Sequence, residues 1–198
     1  MVKGKGFLKL SVLGVLIGFS LAVVCSADVS QEANDTLLSI GGEGLELVID
    51  GACGGTYERG QAVVITVTST QEGHLYLFDF DADPDTASQF FPHPLWDTES
   101  TLQAGVPLAL RPQSADAEMV LSSEPGEGLV FGIVVSEPIN PASIFTTEDV
   151  GGSWDIEADG VETLLAKELA SLIAALPADT WYATATCRYT IVASASSP

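Results

Sequence analysis

From residue 45 onward, short runs of β-branched and aromatic residues alternate with turn-forming ones, and this rhythm constrains the fold more than any other feature. The runs are "LELVIDG" (45–51), "QAVVITVTST" (61–70), "HLYLFDFD" (74–81), "ASQFFPH" (87–93), "TLQAGVPLALR" (101–111), "EMVLSSE" (118–124), "GLVFGIVVSE" (128–137) and "TWYATATCRYTIVAS" (180–194). Such runs, bounded by Gly, Pro, Asn, Asp and Ser, predict an all-β, sandwich-like domain of about eight short strands. Strand alternation puts Leu75, Leu77 and Asp79 on one face of the third run, and Tyr76, Phe78 and Phe80 on the other. The first half of that run is apolar on both faces, which places it centrally in a covered sheet.

One segment has a different period. In "DGVETLLAKELASLIAALP", Val161, Leu164, Leu165, Leu169, Leu172, Ile173 and Leu176 recur at three- and four-residue steps. That spacing predicts one amphipathic helix, about 161–176, before the last strand. It would lie over a sheet face or close an open end of the sandwich. Asp159 followed by Glu162 resembles a capping box, and Pro177 stops the helix.

The N-terminus reads as an export signal. Lys3, Lys5 and Lys9 precede an uncharged apolar run over 10–24, and the small residues Cys25, Ser26 and Ala27 follow. A membrane span needs roughly 20 apolar residues, more than this run supplies. Cleavage before Asp28 would set Cys25 and Ala27 at the −3 and −1 positions. The alternative is a lipoprotein with Cys25 as its acylated first residue, although Val24 is bulky just before it. The expected organisation is a signal peptide (1–27), a polar leader or linker (28–43) and one sandwich-like domain (44–198). The leader contains a glycosylation sequon at Asn34, relevant only in a host with that machinery. The expected location is periplasmic, cell-surface or extracellular. Membrane attachment is expected only if Cys25 is lipidated or the signal stays uncleaved.

Removing 1–27 takes away three lysines, leaving Arg59, Arg111, Lys167 and Arg188 against 27 acidic residues, a net charge of −23. Such a field repels phosphate backbones and disfavours nucleic-acid partners, while drawing cations and basic proteins. Salt adaptation would account for the charge equally well. A hydrophobic content of 46% supplies a core and excludes general disorder. Cys53 and Cys187 then remain, and two cysteines in an exported chain suggest a single disulfide; two free buried thiols are the other reading.

The acidic stretch "DFDADPD" raises the question of calcium. Asp79, Asp81, Asp83 and Asp85 take alternate positions, like the first ligands of an EF-hand loop. Pro84 stands where that loop needs its turn glycine, and Phe90 where it needs its bidentate glutamate. The four aspartates are weak candidate metal ligands, and a solvated acidic hairpin turn is the simpler reading. No other cofactor is expected. His74 and His93 lack metal-pair spacing, and no Gly-x-Ser-x-Gly elbow occurs. Cys53 in "GACGGTYE" is glycine-flanked, as some catalytic cysteines are, but a disulfide explains it more simply. Phe90, Phe91 and Trp96 suit either a binding face or core packing.

Roughly residues 50–140 resemble the bacterial domain of unknown function 4384 family. The motifs are Tyr57 and Gly60 before the first long strand, then Gly73-His74-Leu75, then an acidic turn. Phe91-Pro92 follows, then Ala104-Gly105 ahead of Leu108, and a Pro-x-Gly turn and strand over Pro125–Ile139. His74 departs from the usual aromatic, His93 from the usual Asn, and Pro84 from a turn glycine. The resemblance implies a compact β-rich domain of exported or envelope proteins, often fused to kinase or caspase-like peptidase domains and acting in sensing or interaction. It implies no catalytic residues. The expectation is an exported, non-enzymatic binding or sensing domain with a protein partner in the envelope. The alternatives are a calcium-stabilised extracellular module or a secreted hydrolase.

Overall fold

The computed structural model describes residues 27–82, 86–92, 100–112, 114, 117–140, 154–157 and 160–194. Along the chain run β1 (Ala27–Asp28), α1 (Gln31–Ile40), β2 (Leu45–Ile49), β3 (Gly55–Glu58), β4 (Ile65–Ser69), β5 (Gly73–Phe80) and β6 (Thr86–Phe91). Then come β7 (Thr101–Leu102), β8 (Leu108–Ala109), β9 (Gly126–Val135), β10 (Trp154–Glu157), α2 (Val161–Ala174) and β11 (Tyr182–Val192). Among these residues the strands form two sheets. The larger follows the order β10-β6-β5-β9-β11-β3, with β1 added to β9 and β7 to β5; the smaller is β2-β4-β8.

The architecture is the expected two-sheet sandwich, with a further layer. Leu47, Ile49, Ile65 and Val67 of the small sheet pack on Leu75, Leu77, Val130, Val134 and Cys187 of the large one. The other face of the large sheet presents Tyr76, Phe78, Phe80, Phe131, Ile133 and Val135 to both helices. With both faces covered, its central strands are mostly apolar on both sides. That explains why β5 and β9 read as continuous hydrophobic runs.

Four boundaries differ from expectation. The leader or linker expected over 28–43 contains β1 and α1, and both are part of the domain. Ala33 and Leu37 of α1 are buried in the helix-side core. Its sequence hides this, because only two of its ten residues are fully buried and the rest are mostly polar. The described residues accordingly hold two helices, and α2 ends at Ala174, just short of the expected 176. The run 101–111 splits, its first part pairing with β5 and its second with β4 in the other sheet. The strand expected over 118–124 reduces to one bridge, Ala62 with Val120. Strands β3 and β10 carried no clear signal, β3 because glycines precede it.

The expected capping box is replaced by a contact between helices. Gly160 is the N-cap of α2, in the left-handed region at φ 70°, with no side-chain cap. Asp159 lies outside the described residues. Glu162, fully buried, accepts instead from the backbone N–H of Ser30 at 2.9 Å. Ser30 is the N-cap of α1, and its hydroxyl accepts from Ala33 N–H at 3.3 Å. In an ordinary capping box the third helical residue supplies the carboxylate. Here that residue is Ala33, and α2 provides the carboxylate. The buried carboxyl group sits where both helix N-termini meet, a place helix dipoles favour for an acidic side chain. A Lys167–Glu32 ion pair at 2.7 Å joins the same helices in half-exposed surroundings, where such pairs contribute little.

Candidate functional site

Of the four candidate metal ligands, Asp83 and Asp85 lie outside the described residues. Asp79 sits on β5 next to Leu77, facing the core between the sheets. Its Oδ1 accepts from the Tyr189 hydroxyl at 2.9 Å. Asp81 turns to its own turn, Oδ1 accepting from Ala82 N–H at 2.6 Å. Among the described residues no group of three His, Cys, Asp or Glu is placed to hold a metal ion.

Tyr189 belongs to β11 and is in register with Gly128 on β9 and Gly55 on β3. A Cβ built on Gly128 would collide with the Tyr189 ring. The absent side chain therefore lets the phenol lie across β9 and reach β5. Burial, and then the neighbouring Asp81 carboxylate, push Asp79 from 3.8 up to about 7, with the tyrosine hydrogen bond opposing them. Burial, reinforced by Asp79 and Asp81, drives the Tyr189 phenol well above its ordinary value, so it stays a donor. This arrangement holds one proton-sensitive carboxylate inside the sandwich.

The disulfide is present. Cys53, in the loop after β2, joins Cys187 on β11 with a Cα–Cα distance of 5.1 Å. Cys187 is fully buried and Cys53 exposed. His74 is half-buried on β5, in register with Thr101 and Val135, and His93 lies outside the described residues. Phe91 is fully buried and Phe90 packs on the core, so both serve packing; Trp96 lies outside the described residues. Asn34 of the sequon is half-buried within α1.

A groove of about 300 Å³ opens beside the small sheet. It arises because two stretches share one side of the strand through residues 61–67. Leu110 N–H donates to Ile65 O at 2.9 Å, and Val63 N–H donates to Met119 O, also at 2.9 Å. These two contacts bracket the groove along one side of that strand. Val63, Leu110 and Met119 line its apolar part, and Asp50, Arg111 and Glu118 its rim. Val64, 48% exposed, also lines it, and Val120, 44% exposed, follows the lining residue Met119 and bridges Ala62. Sequence reading named neither this groove nor Tyr189. The groove depends on which strand two distant segments share. Tyr189 could have been suspected only from a glycine opposite it.

The fold and these sites define a β-sandwich domain with one internal disulfide. Residues 56–138 match the family model described as Domain of unknown function (DUF4384), and the family segment runs from within β3 past the end of β9. No curated protein and no solved structure matches the chain. Tyr189, Glu162, Cys53 and Cys187 all fall outside the matched segment.

Proposed function

We propose that this is an exported domain of the cell envelope that works by binding a protein partner on the outer face of its small sheet. The groove beside Val64 and Val120 carries the reading, since two large exposed apolar side chains flank an opening with an apolar floor. Carboxylates of Asp50 and Glu118 on the rim and the net negative charge favour a partner with basic residues around an apolar contact.

Export is supported by the disulfide. The ladder begins at Ala27–Asp28, so the expected cut before Asp28 would fall inside β1 and take Ala27 from its pairing with Gly126. A lipidated Cys25 would keep β1 whole but leave only Ser26 before the sheet, roughly 7 Å of chain. That would press a strongly acidic domain against a membrane surface, a repulsive arrangement where lipids are anionic.

The test compares the mature protein with the double variant Val64→Glu, Val120→Glu as bait for cross-linking in an envelope extract, at physiological and high salt. A defined partner retained at both salts by the parent and lost by the variant is expected. Capture that disappears with salt, or that both proteins share, would mean charge alone is binding and would sink the proposal.

A further inference from the structure

We propose that Cys53 is the point at which an incoming thiol exchanges with the disulfide, so that a mixed disulfide forms at Cys53 and never at Cys187. The bridge is asymmetric. Cys187 lies in the core on the central strand β11, fully buried among residues packed between the sheets. Cys53 is exposed in a loop whose neighbours are Gly51, Ala52, Gly54 and Gly55. Gly51 and Gly54 have φ of 87° and 81°, and a Cβ at either position would meet nothing within 4 Å. Neither glycine carries a side chain that could screen Cys53, whose Sγ lies 3.1 Å from the Leu47 carbonyl oxygen. Exchange needs the attacking sulfur roughly in line with the bond it breaks, and the rate depends on which sulfur can be reached. Cys187 is fully buried and Cys53 belongs to an exposed loop, so Cys53 is the half of the bridge that solvent reaches first.

The step is an exchange without an added oxidant. A thiolate attacks Cys53 Sγ and a new S–S bond forms as the Cys53–Cys187 bond breaks. The electron pair leaves on Cys187, which takes up a proton, because an uncompensated thiolate in the core is costly. A monothiol forms the mixed disulfide, and a second molecule of it must attack to release Cys53 as a thiol, the two leaving as their own disulfide. A dithiol goes on: its second thiolate attacks its own mixed-disulfide sulfur and expels Cys53. The partner is then oxidised by two electrons and both cysteines are thiols. The chemistry recognised is a thiolate, supplied by a small thiol or by a C-x-x-C dithiol protein. Exchange removes the covalent tie between this loop and β11 and leaves the Gly54 N–H to Arg188 O hydrogen bond at 2.8 Å in place.

The experiment incubates native oxidised protein with glutathione, or separately with a C-x-x-C dithiol protein. It then quenches in acid and maps adducts by mass spectrometry across a series of urea concentrations below unfolding. The expected adduct is on Cys53, at a rate independent of urea in that range. A glutathione adduct identifies a small-thiol source, and release of both cysteines by the dithiol protein alone identifies a protein source. An adduct on Cys187, or a rate that rises with urea as global unfolding does, overturns the assignment. In free-thiol variants, Cys53 in Cys187→Ala should label with iodoacetamide about tenfold faster or more than Cys187 in Cys53→Ala, with the gap closing in denaturant. Equal labelling in the folded state would refute the proposal, and if either variant fails to fold the adduct mapping decides alone.

Discussion

Replacing Asp79 by Asn should make the protein more stable at pH 8 than at pH 5 relative to the parent. The native carboxyl is pushed to about 7 from 3.8, mainly by burial. Between those values the native state keeps a proton that the unfolded chain has released. Stability therefore falls as pH rises through this window and levels off above it. At 1.36 kcal/mol per pH unit, the full penalty above pH 7 is about 4 kcal/mol, and roughly 2.7 of it develops between pH 5 and pH 7. Water reaches part of the carboxylate, so about 2 kcal/mol is the working expectation over that interval. Asparagine carries no charge at either pH, and its Oδ1 still accepts from Tyr189. Urea unfolding followed by Trp fluorescence at pH 5 and pH 8, for both proteins, reads the difference directly. Other carboxylates titrate in both proteins and cancel. A stability difference unchanged between the two pH values, or a variant less stable at pH 8, would show that Asp79 is ionised at little cost and that the buried-pair account is wrong.

Gly128→Ala should cost about 2–4 kcal/mol in the same assay, because the new Cβ occupies the space of the Tyr189 ring. Glu162→Ala should destabilise by about 1–3 kcal/mol through loss of the carboxylate that caps α1, and Glu162→Gln, which keeps an acceptor, should cost less. Reduction, or removal of both cysteines, should lower the melting temperature. The bridge spans a sequence separation of 134, and chain entropy assigns such a loop roughly 4–5 kcal/mol. An unchanged melting curve would deny it a stabilising role. Mass spectrometry of protein from an export-competent host should give Asp28 as the first residue, and a diacyl-modified Cys25 would instead place the protein on a membrane.

Features with a local cause were legible in the sequence. The faces of β5, the β-branched run of β4 and the period of α2 all follow from spacing, while the Cys53–Cys187 pair was read from the cysteine count of an exported chain. Helix α1 was not legible. Its burial rests on Ala33 and Leu37, and its cap is completed by Glu162, so its stability comes from a neighbour far along the chain. The Asp79–Tyr189 pair was half legible. Alternation put Asp79 on the face of Leu75 and Leu77, but nothing in "DFDADPD" indicates a phenol arriving from the last strand over Gly128. The aspartates drew attention as a group, yet the two that are described take separate partners.

The cap shared between α1 and α2 has a consequence for how the protein is made. Ser30 waits for Glu162, Cys53 for Cys187, and β3 for β11, so the earliest segments are finished only by the latest. A chain emerging N-terminus first cannot close the first of these contacts until α2 is through, nor the other two until its final strand is. Contacts so distant in sequence are slow to form. A chain stalled before Tyr182 would leave β3 and β9 without β11 and Cys53 without Cys187, exposing strand edges and a reactive thiol together. Quality control that senses either signal would remove such fragments while passing the completed protein.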